Sequence, residues 1–357
     1  MAYTTIDKPT DYFNIVLYTG NGGTQSITGV GFAPNWVWGK SRSVTEGNAV
    51  HDTVRGARKN ILTNTDAAEE DIASITAFGS DGFSLGSNAH LNKNNSSMVA
   101  WNWKAGTSFS NSAGANSATI ASTGSVNTDA GFSIISYTGN GNDDDTAKIA
   151  HGLGVAANMI IVKCRNAAGG WQTSSTSLGF NNVLQLNETN AQASGTYAFG
   201  RTGVAPTSTV FTVSATSGGN HTNTNNNTYI AYCFAEKKGY SKFGKYTGNG
   251  NADGTFVYTG FKPAFFMTKR TTGSGYDWLL YDNKRQVLFN VVDDFLKPNL
   301  ADAETTGNAN QSLDFLSNGV KFRGNGASSN GSGVVYIYMA FAENPFTTST
   351  GVPATAR

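Results

Sequence analysis

The sequence predicts an all-β protein built of three tandem β-sandwich domains, of jelly-roll or lectin-like type, with short decorating helices. A five-residue motif, YTGNG, occurs three times along the chain. Short runs of Val, Ile, Phe, Tyr and Thr alternate with Gly- and Asn-rich turns, as in sandwiches. The 39% apolar residues, with 21 Phe and 14 Tyr, are enough to fill real cores, which excludes a chain disordered throughout.

The copies of YTGNG begin at Tyr18, Tyr137 and Tyr246. Their spacing of roughly 110–120 residues exceeds the 20–50 residues of solenoid repeats, so each unit is expected to bury a core of its own. We therefore predict six segments: an N-terminal arm (1–10), repeat 1 (11–106), a Ser/Ala/Asn/Gly linker (107–130), repeat 2 (131–238), repeat 3 (239–346) and a C-terminal tail (347–357).

Each repeat is expected to contain the same elements in the same order. The Asn-Gly pair of YTGNG predicts a tight turn, followed by a strand that ends in a lysine. Turns at Asp81-Gly82 and Asn318-Gly319 begin a later strand, and an aromatic strand closes each repeat. The helix candidates are Asp66–Ile72, capped by Thr65, and Val291–Leu296, stopped by Pro298.

The charge balance excludes several classes of partner. The chain has 25 Lys+Arg and 24 Asp+Glu, a net charge of +1, which favours neither nucleic acid nor an anionic membrane surface. No apolar run is long enough to span a bilayer, and the first residues lack a secretory signal, so we expect synthesis in the cytoplasm and no membrane insertion. Cys164 and Cys233 are expected to be unpaired thiols.

The sequence offers no clear catalytic or metal site. The four histidines lack metal-ligand spacing, and no G-x-S-x-G nucleophile elbow occurs. The run Asp143–Asp145 leaves a calcium loop open, although a solvated turn is favoured because the spaced calcium-loop pattern is missing. The YTGNG motif lacks the GK[ST] ending of a phosphate loop. We expect no cofactor and no enzymatic activity.

Aromatic and basic residues supply the candidate contacts. Two W-x-W pairs in repeat 1 place their indoles on one strand face, either as core or as a glycan platform, with core favoured because other repeats carry large residues there. Trp171 and Trp278 lie in loop-like contexts and are the better candidates for exposed contacts. Lysines recur at one strand end and would either bind acidic glycans or, as the favoured alternative, pair with Asp52 and Asp282 in the following strand; these are Lys40, Lys163 and Lys269.

The first repeat resembles a repeat domain of bacteriophage virion proteins, of the tail-fibre type frequent in marine phages. The resemblance is carried by YFNIVLYTGNGGTQSITGVGFAPNWVWGKSR, by the segment from Val50 to Gly86 and by VAWNWKAG, and extends to the opening MAYTTIDKPTDYF. It is weaker over repeat 3 and only framework-deep over repeat 2, where Pro34 is replaced by Ala157. It implies location on a virion and carries no catalytic residues.

This resemblance, with the neutral Asn- and Thr-rich loops, predicts a non-enzymatic virion surface protein at the tail or capsid exterior. The leading expectation is a tail fibre or receptor-binding component that recognises a host surface glycan or protein. The alternative is a capsid decoration, cement or fibre-adaptor protein held to other virion proteins by its terminal arms. A glycan depolymerase ranks last, because only Asp143–Asp145 and Asp293–Asp294 cluster carboxylates. Homo-oligomers, trimers above all, are expected of fibres.

Overall fold

The computed structural model describes residues 3–194, 198–215, 221–286 and 290–355, and within them the chain is an all-β, sandwich-type protein. This confirms the predicted fold class. Each repeat forms a larger antiparallel sheet and a smaller sheet that packs on its outer face. The larger sheets have inner faces as well, and these meet one another.

Repeat 1 contains nine strands and the single α-helix of the described residues. The larger sheet has the order β1-β9-β3-β4-β5-β6, and the smaller one β2-β8-β7. The elements are β1 (Phe13–Thr19), β2 (Gln25–Ile27), β3 (Trp36–Ser41), β4 (Ala49–Asp52), β5 (Lys59–Leu62), β6 (Glu70–Asp71), β7 (Ile75–Gly79), β8 (Gly82–Leu85), α1 (Ala89–Asn92) and β9 (Ser97–Trp103).

Repeat 2 and the segment before it form the widest sheet, in the order β10-β11-β12-β19-β14-β15-β16-β17, and the pair β13-β18. The strands are β10 (Thr107–Asn111), β11 (Ser122–Asn127), β12 (Phe132–Thr138), β13 (Lys148–Ala150), β14 (Met159–Cys164), β15 (Gln172–Ser175), β16 (Asn182–Gln185), β17 (Ala193–Ser194), β18 (Val210–Thr212) and β19 (Thr228–Phe234).

Repeat 3 has the larger sheet β20-β26-β22-β23 and the smaller sheet β21-β25-β24. Its strands are β20 (Ser241–Thr247), β21 (Phe256–Tyr258), β22 (Phe261–Arg270), β23 (Leu279–Asp282), β24 (Leu313–Leu316), β25 (Gly319–Phe322) and β26 (Val335–Pro345). Short 3-10 turns lie at Pro9–Asp11, Ala115–Ser117 and Ala309–Gln311.

The three larger sheets share one pairing scheme, which defines equivalent positions. The opening strand pairs with the closing strand, and the closing strand pairs with the lysine-ending strand, as β1-β9-β3, β12-β19-β14 and β20-β26-β22. Corresponding register pairs are Trp36↔Trp103, Met159↔Phe234 and Phe265↔Phe341.

Between its two sheets, each repeat has an outer core of its own. The inner faces of all three larger sheets contribute to one further, central core. Trp36 illustrates how the repeats meet there: its ring lies 4.3 Å from that of Trp103 within repeat 1 and 4.6 Å from that of Tyr232 in repeat 2. Phe13 stacks on Phe341 of repeat 3 at 5.2 Å. The repeats therefore enclose a common aromatic centre, because each larger sheet is apolar on both faces.

Two sequence-based expectations differ from the structure. The segment 107–130, expected to be a linker, forms β10 and β11, which extend the sheet of repeat 2 along the edge of β12. The two expected helices are absent from their described positions: Asp66–Ile72 runs extended into β6, and Val291–Leu296 forms isolated bridges, such as Leu280↔Leu296. Tertiary pairing outweighs helix propensity in both places.

The terminal segments lie against repeat 3. Of the N-terminal arm, Met1 and Ala2 are outside the described residues, and the Tyr3 hydroxyl donates to Gly260 O at 2.6 Å. Ile6 is 3% exposed and joins the central core. Asp7 binds the backbone and hydroxyl of Ser349 in the C-terminal tail, whose residues 356–357 are likewise outside the described part.

No helix among the described residues is both long enough and apolar enough to cross a membrane.

Candidate functional site

The YTGNG motif forms a turn, and the side chain of a buried asparagine from a distant segment hydrogen-bonds to it. In repeat 3 the Asn330 side chain accepts from Asn249 N and donates to the Asn249 side chain, Asn251 O and Gly324 O. Asn92 and Asn223 hold the turns of repeats 1 and 2 in the same way. The motif is thus a structural turn, as its Asn-Gly pair predicts, and its second glycine has a positive φ of about 70–78° in all three copies.

The first glycine and the tyrosine of the motif both contact the segment that carries the buried asparagine. A Cβ at Gly20, Gly139 or Gly248 would lie 2.2–2.4 Å from a backbone oxygen of the facing segment. The tyrosine hydroxyl donates to the residue before the buried asparagine, at 2.6–2.8 Å in each repeat. In each repeat the exposed outer residues of the turn lie at the end of the larger sheet where the lysine-bearing strand also finishes.

The three repeated lysines are fully buried and join neighbouring repeats. Each ammonium donates to a carbonyl oxygen of the repeat beside it: Lys40 to Ala301 at 2.6 Å, Lys163 to Asp66 at 3.1 Å, and Lys269 to Thr189 at 3.2 Å. Burial lowers the pKa of each lysine to about 8. The expected pairing of these lysines with Asp52 and Asp282 is wrong, since backbone carbonyls bind them instead.

Asp282 lies at the contact between repeat 3 and repeat 1, where it binds Arg285 at 2.6 Å. Arg285 also binds Glu304, and Glu304 accepts from Arg42 of repeat 1 at 2.8 Å. Trp101 of repeat 1 donates its indole N–H to Asp282 at 2.9 Å. Burial alone would raise the pKa of the Asp282 carboxyl, but the Arg285 charge and hydrogen bonds lower it below its usual value.

The contact between repeat 1 and repeat 2 has the same arrangement, with the same charged residues and with Tyr232 in the place of Trp101. Asp52 binds Arg55 at 2.5 Å, and Arg55 binds Glu69 at 3.1 Å. Arg165 of repeat 2 binds both oxygens of Glu69, at 2.9 and 3.0 Å, and the Tyr232 hydroxyl donates to Asp52 at 2.8 Å. Each buried charge therefore has a partner, which such burial requires.

The third contact, between repeat 2 and repeat 3, is neutral at every equivalent position. Ser175 replaces the aspartate, Leu178 the first arginine and Gln192 the glutamate. On the side of repeat 3, Thr271 stands where Arg42 and Arg165 stand, and Met339 stands where the hydrogen-bond donors Trp101 and Tyr232 stand. The backbone bond survives, with Gln192 N donating to Thr271 O at 2.8 Å. The charges are absent as a complete set.

These acid–arginine clusters were not predicted from the sequence. The shared spacing Asp-x-x-Arg, in repeats 1 and 3 only, was a signal that could have found them. Trp171 and Trp278, expected in exposed contacts, are 1% exposed, and each indole N–H donates to a carbonyl of the preceding repeat, at Leu62 and Gln185. None of the five candidate contact residues is therefore presented to solvent.

Both W-x-W pairs belong to the central core, as favoured from the sequence, with exposures of 2% or less. Cys164 and Cys233 are buried free thiols, as expected. The run Asp143–Asp145 forms a turn in which Asp144 binds Thr146 and Asp145 binds Thr202. Across the described ranges, no three His, Cys, Asp or Glu side chains come together as metal ligands would.

A comparison with protein families gives one match, to the Domain of unknown function DUF7483, over residues 8–345. Searches of curated proteins and of solved structures returned no match. The match runs through all three repeats, from the 3-10 turn of the N-terminal arm to the last strand. This chain, with its three repeats around one core, belongs to the DUF7483 family.

Proposed function

We propose that this protein is a non-enzymatic component of a bacteriophage virion surface, acting as a tail fibre or receptor-binding protein that recognises a host surface glycan or protein. Its location is proposed from the resemblance of repeat 1 to virion repeat domains. The binding role is supported by how the molecule uses its ionisable side chains. The acid–arginine clusters and the three lysines join one repeat to the next, so the strongest polar groups of the interior serve assembly of the scaffold.

The exposed surface of the three YTGNG turns has the opposite character. The outer residues of the three YTGNG turns are mostly Asn, Gly and Thr, with carboxylates concentrated on the turn of repeat 2. Neutral amides and hydroxyls on a rigid support suit recognition by many hydrogen bonds, and such contacts change little with salt. The geometry therefore favours a rigid binding scaffold.

Adsorption competition tests the receptor role. Purified protein, added to host cells before phage, should reduce phage adsorption in proportion to the fraction of cells that carry bound protein. Protein unfolded and refolded incompletely provides the matched negative control. Failure of folded protein to bind cells or to compete at saturating concentration would contradict the proposal.

The alternative is a capsid decoration, cement or fibre-adaptor protein. Its proposed use of the arms as ties must account for their contacts within this chain, since Thr4 already binds Lys238 at the end of repeat 2 and Ile6 packs in the central core. Gold-labelled antibody on intact virions separates the two roles: label at the tail tips supports recognition, and label over the head supports decoration. Trimeric assembly is part of the leading proposal and would appear in light scattering.

A further inference from the structure

A small cavity on repeat 2 is lined by polar side chains that the fold does not require there. It has a volume of about 160 Å³ and lies beside the β15–β16 pair, near the contact with repeat 3. Gln172 and Gln185 stand opposite each other in the register and both line it, together with Asn190 and His221. Val183 and two alanines supply the apolar part of the wall.

The repeats provide an internal comparison for the glutamine pair. At the position of Gln172, repeat 1 has Ala49 and repeat 3 has Leu279, and all three residues are buried, with exposures of 0–3%. Ala49 pairs with Leu62 in repeat 1, where Gln172 pairs with Gln185 in repeat 2. Since Ala and Leu fill the equivalent positions, packing does not require an amide here, and the glutamine adds hydrogen-bonding groups to the wall of the cavity.

The local contacts keep both amides at the cavity. Gln172 Nε2 lies 3.0 Å from His221 Nδ1 and 3.3 Å from Gly170 O. The absence of a Cβ at Gly170 leaves room for this orientation of the Gln185 amide, because a Cβ there would lie 2.4 Å from Gln185 Nε2. Burial lowers the pKa of His221, so its ring is neutral at physiological pH and offers one donor and one acceptor.

The chemistry of the lining defines the ligand. Amides and a neutral imidazole both donate and accept, which suits adjacent hydroxyl groups, and the described lining contains no charged side chain to hold an ion. Apart from His221 it contains no ring for a nucleobase to stack on. The volume of about 160 Å³ is well above the roughly 10–15 Å³ that a single water needs, and it falls below the roughly 300 Å³ of drug-sized pockets.

We propose that this cavity, the amide pocket (Gln172, Gln185, Asn190 and His221), binds one neutral sugar ring, such as a terminal or branch hexose of a glycan. The sugar hydroxyls bond to the amides and the imidazole, and the C–H face lies on Val183 and the alanines. This deepens the proposed function and rests on it only for the source of the sugar, a host surface glycan.

The test is titration of the purified chain with neutral hexoses and N-acetylhexosamines, followed by saturation-transfer NMR. Uronic acids and sialic acid serve as charged probes. We expect binding of at least one neutral sugar and at least tenfold weaker binding of the charged ones. Absence of saturation transfer from every neutral sugar, or equal transfer from charged sugars, would overturn the proposal.

The variant Q172A/Q185L installs the pair of repeat 1 and should abolish binding while leaving the chain folded. N190A, at an exposed position, should weaken binding at least threefold and keeps the test open if the double variant unfolds. The matched control is Q25L, which changes a glutamine on β2 of repeat 1 and should bind like the parent. Unchanged affinity in N190A together with Q172A/Q185L would also overturn the proposal.

The same protein in the adsorption assay separates this site from the proposed function. Sugar binding without competition against phage contradicts the receptor role and supports the pocket. Competition without sugar binding supports the receptor role and contradicts the pocket.

Discussion

At the scale of single residues, each contact between repeats has either all of its buried charged residues or none of them. Repeats 1 and 3 each contribute an aspartate, an arginine and a glutamate, whereas repeat 2 has Ser175, Leu178 and Gln192 at the equivalent positions. Removing one member of a buried set leaves the others unpaired, while removing all of them leaves nothing to compensate. A contact between repeats is therefore stable with all of these charges or with none of them.

Arg285→Leu alone is therefore expected to lower the free energy of unfolding more than a variant that removes all the charges of this contact. It leaves Asp282 and Glu304 buried beside each other, with exposures of their side chains of 0% and 4%. We expect it to lower the free energy of unfolding by about 3–5 kcal/mol. The quadruple variant R42T/D282S/R285L/E304Q, which removes every charge of this contact as in the neutral contact of repeats 2 and 3, should lose less. Urea denaturation measures both, and a quadruple variant less stable than the single one would refute the explanation.

The buried lysines predict an unusual dependence of stability on pH. The pKa of Lys40, Lys163 and Lys269 is about 8 in the folded chain, against an ordinary value of 10.5. Between these values the unfolded chain binds more protons, so the free energy of unfolding should rise as the pH increases from about 8 to 10. Buried tyrosines, whose pKa is raised by burial, such as Tyr281, reverse this trend above about pH 10.

Denaturation at pH 7.5 and pH 9.5 measures that rise. Lys163→Met should reduce the difference between the two pH values by about 1–3 kcal/mol, since one lysine no longer titrates. Lys245→Met, at an exposed position, is the control and should leave the difference unchanged. A parent chain that is less stable at pH 9.5 than at pH 7.5 would show that the lysines do not govern this range.

At the scale of elements, the turn of YTGNG depends on a residue more than 70 positions away. Asn330→Ala removes three hydrogen bonds to the turn in repeat 3 and one to Gly324 O, and it leaves Asn249 N without its acceptor. We expect a loss of about 2–4 kcal/mol in the free energy of unfolding, since buried polar groups are left unpaired. Asn251→Ala, at an exposed position of the same turn, should cost under about 1 kcal/mol. Similar losses in both variants would argue against a stabilising role for the hydrogen bonds of the Asn330 side chain.

The repeats differ in what protects the outer edge of the opening strand from pairing with another strand. In repeat 2, β11 pairs with β12 and covers it. In repeat 3, β20 carries Lys242 and Lys245, charges that discourage pairing with another strand. In repeat 1, β1 has no charged residue, and Leu17 is 41% exposed. Of the two strands that β11 leaves uncovered, β1 is the more open to pairing between chains.

Exchanging the edge residues of repeat 3 for those of repeat 1 tests this reading. K242N/K245L should increase self-association, because it removes the charges that protect β20. Sedimentation velocity over a concentration series measures the change. The reciprocal L17K should reduce any association of the parent chain. An increase in association with L17K would mean that β1 is not the pairing edge.

At the scale of the whole molecule, the shared central core predicts cooperative unfolding. Trp36 contacts aromatic rings of repeats 1 and 2, and Phe341 of repeat 3 lies against both Phe13 and Phe234. A repeat that unfolds alone would expose the inner faces of its neighbours. We therefore expect a single calorimetric transition, with calorimetric and van't Hoff enthalpies in agreement.

Trp36→Ala, in the central core, should lower the midpoint of that single transition, with a loss of about 3–5 kcal/mol. Phe322→Ala, in the outer core of repeat 3, is the matched comparison and should also leave one transition. Resolved transitions, one per repeat, would contradict the dependence of each repeat on the common core.

The sequence by itself determined the all-β class, the three repeats and their turns, because these follow from local patterns: alternating apolar residues, Asn-Gly pairs and recurring lysines. The sequence also favoured a core position for the W-x-W pairs, because the other repeats carry large residues there, and the structure confirms it. Only the tertiary structure decided what the repeated polar residues contact. Lys40 binds a carbonyl more than 250 residues away, and Trp171 and Trp278 are buried at contacts between repeats that local context presents as loops. Such long-range partners depend on how three sheets pack around one core, and neighbouring residues carry no record of that packing.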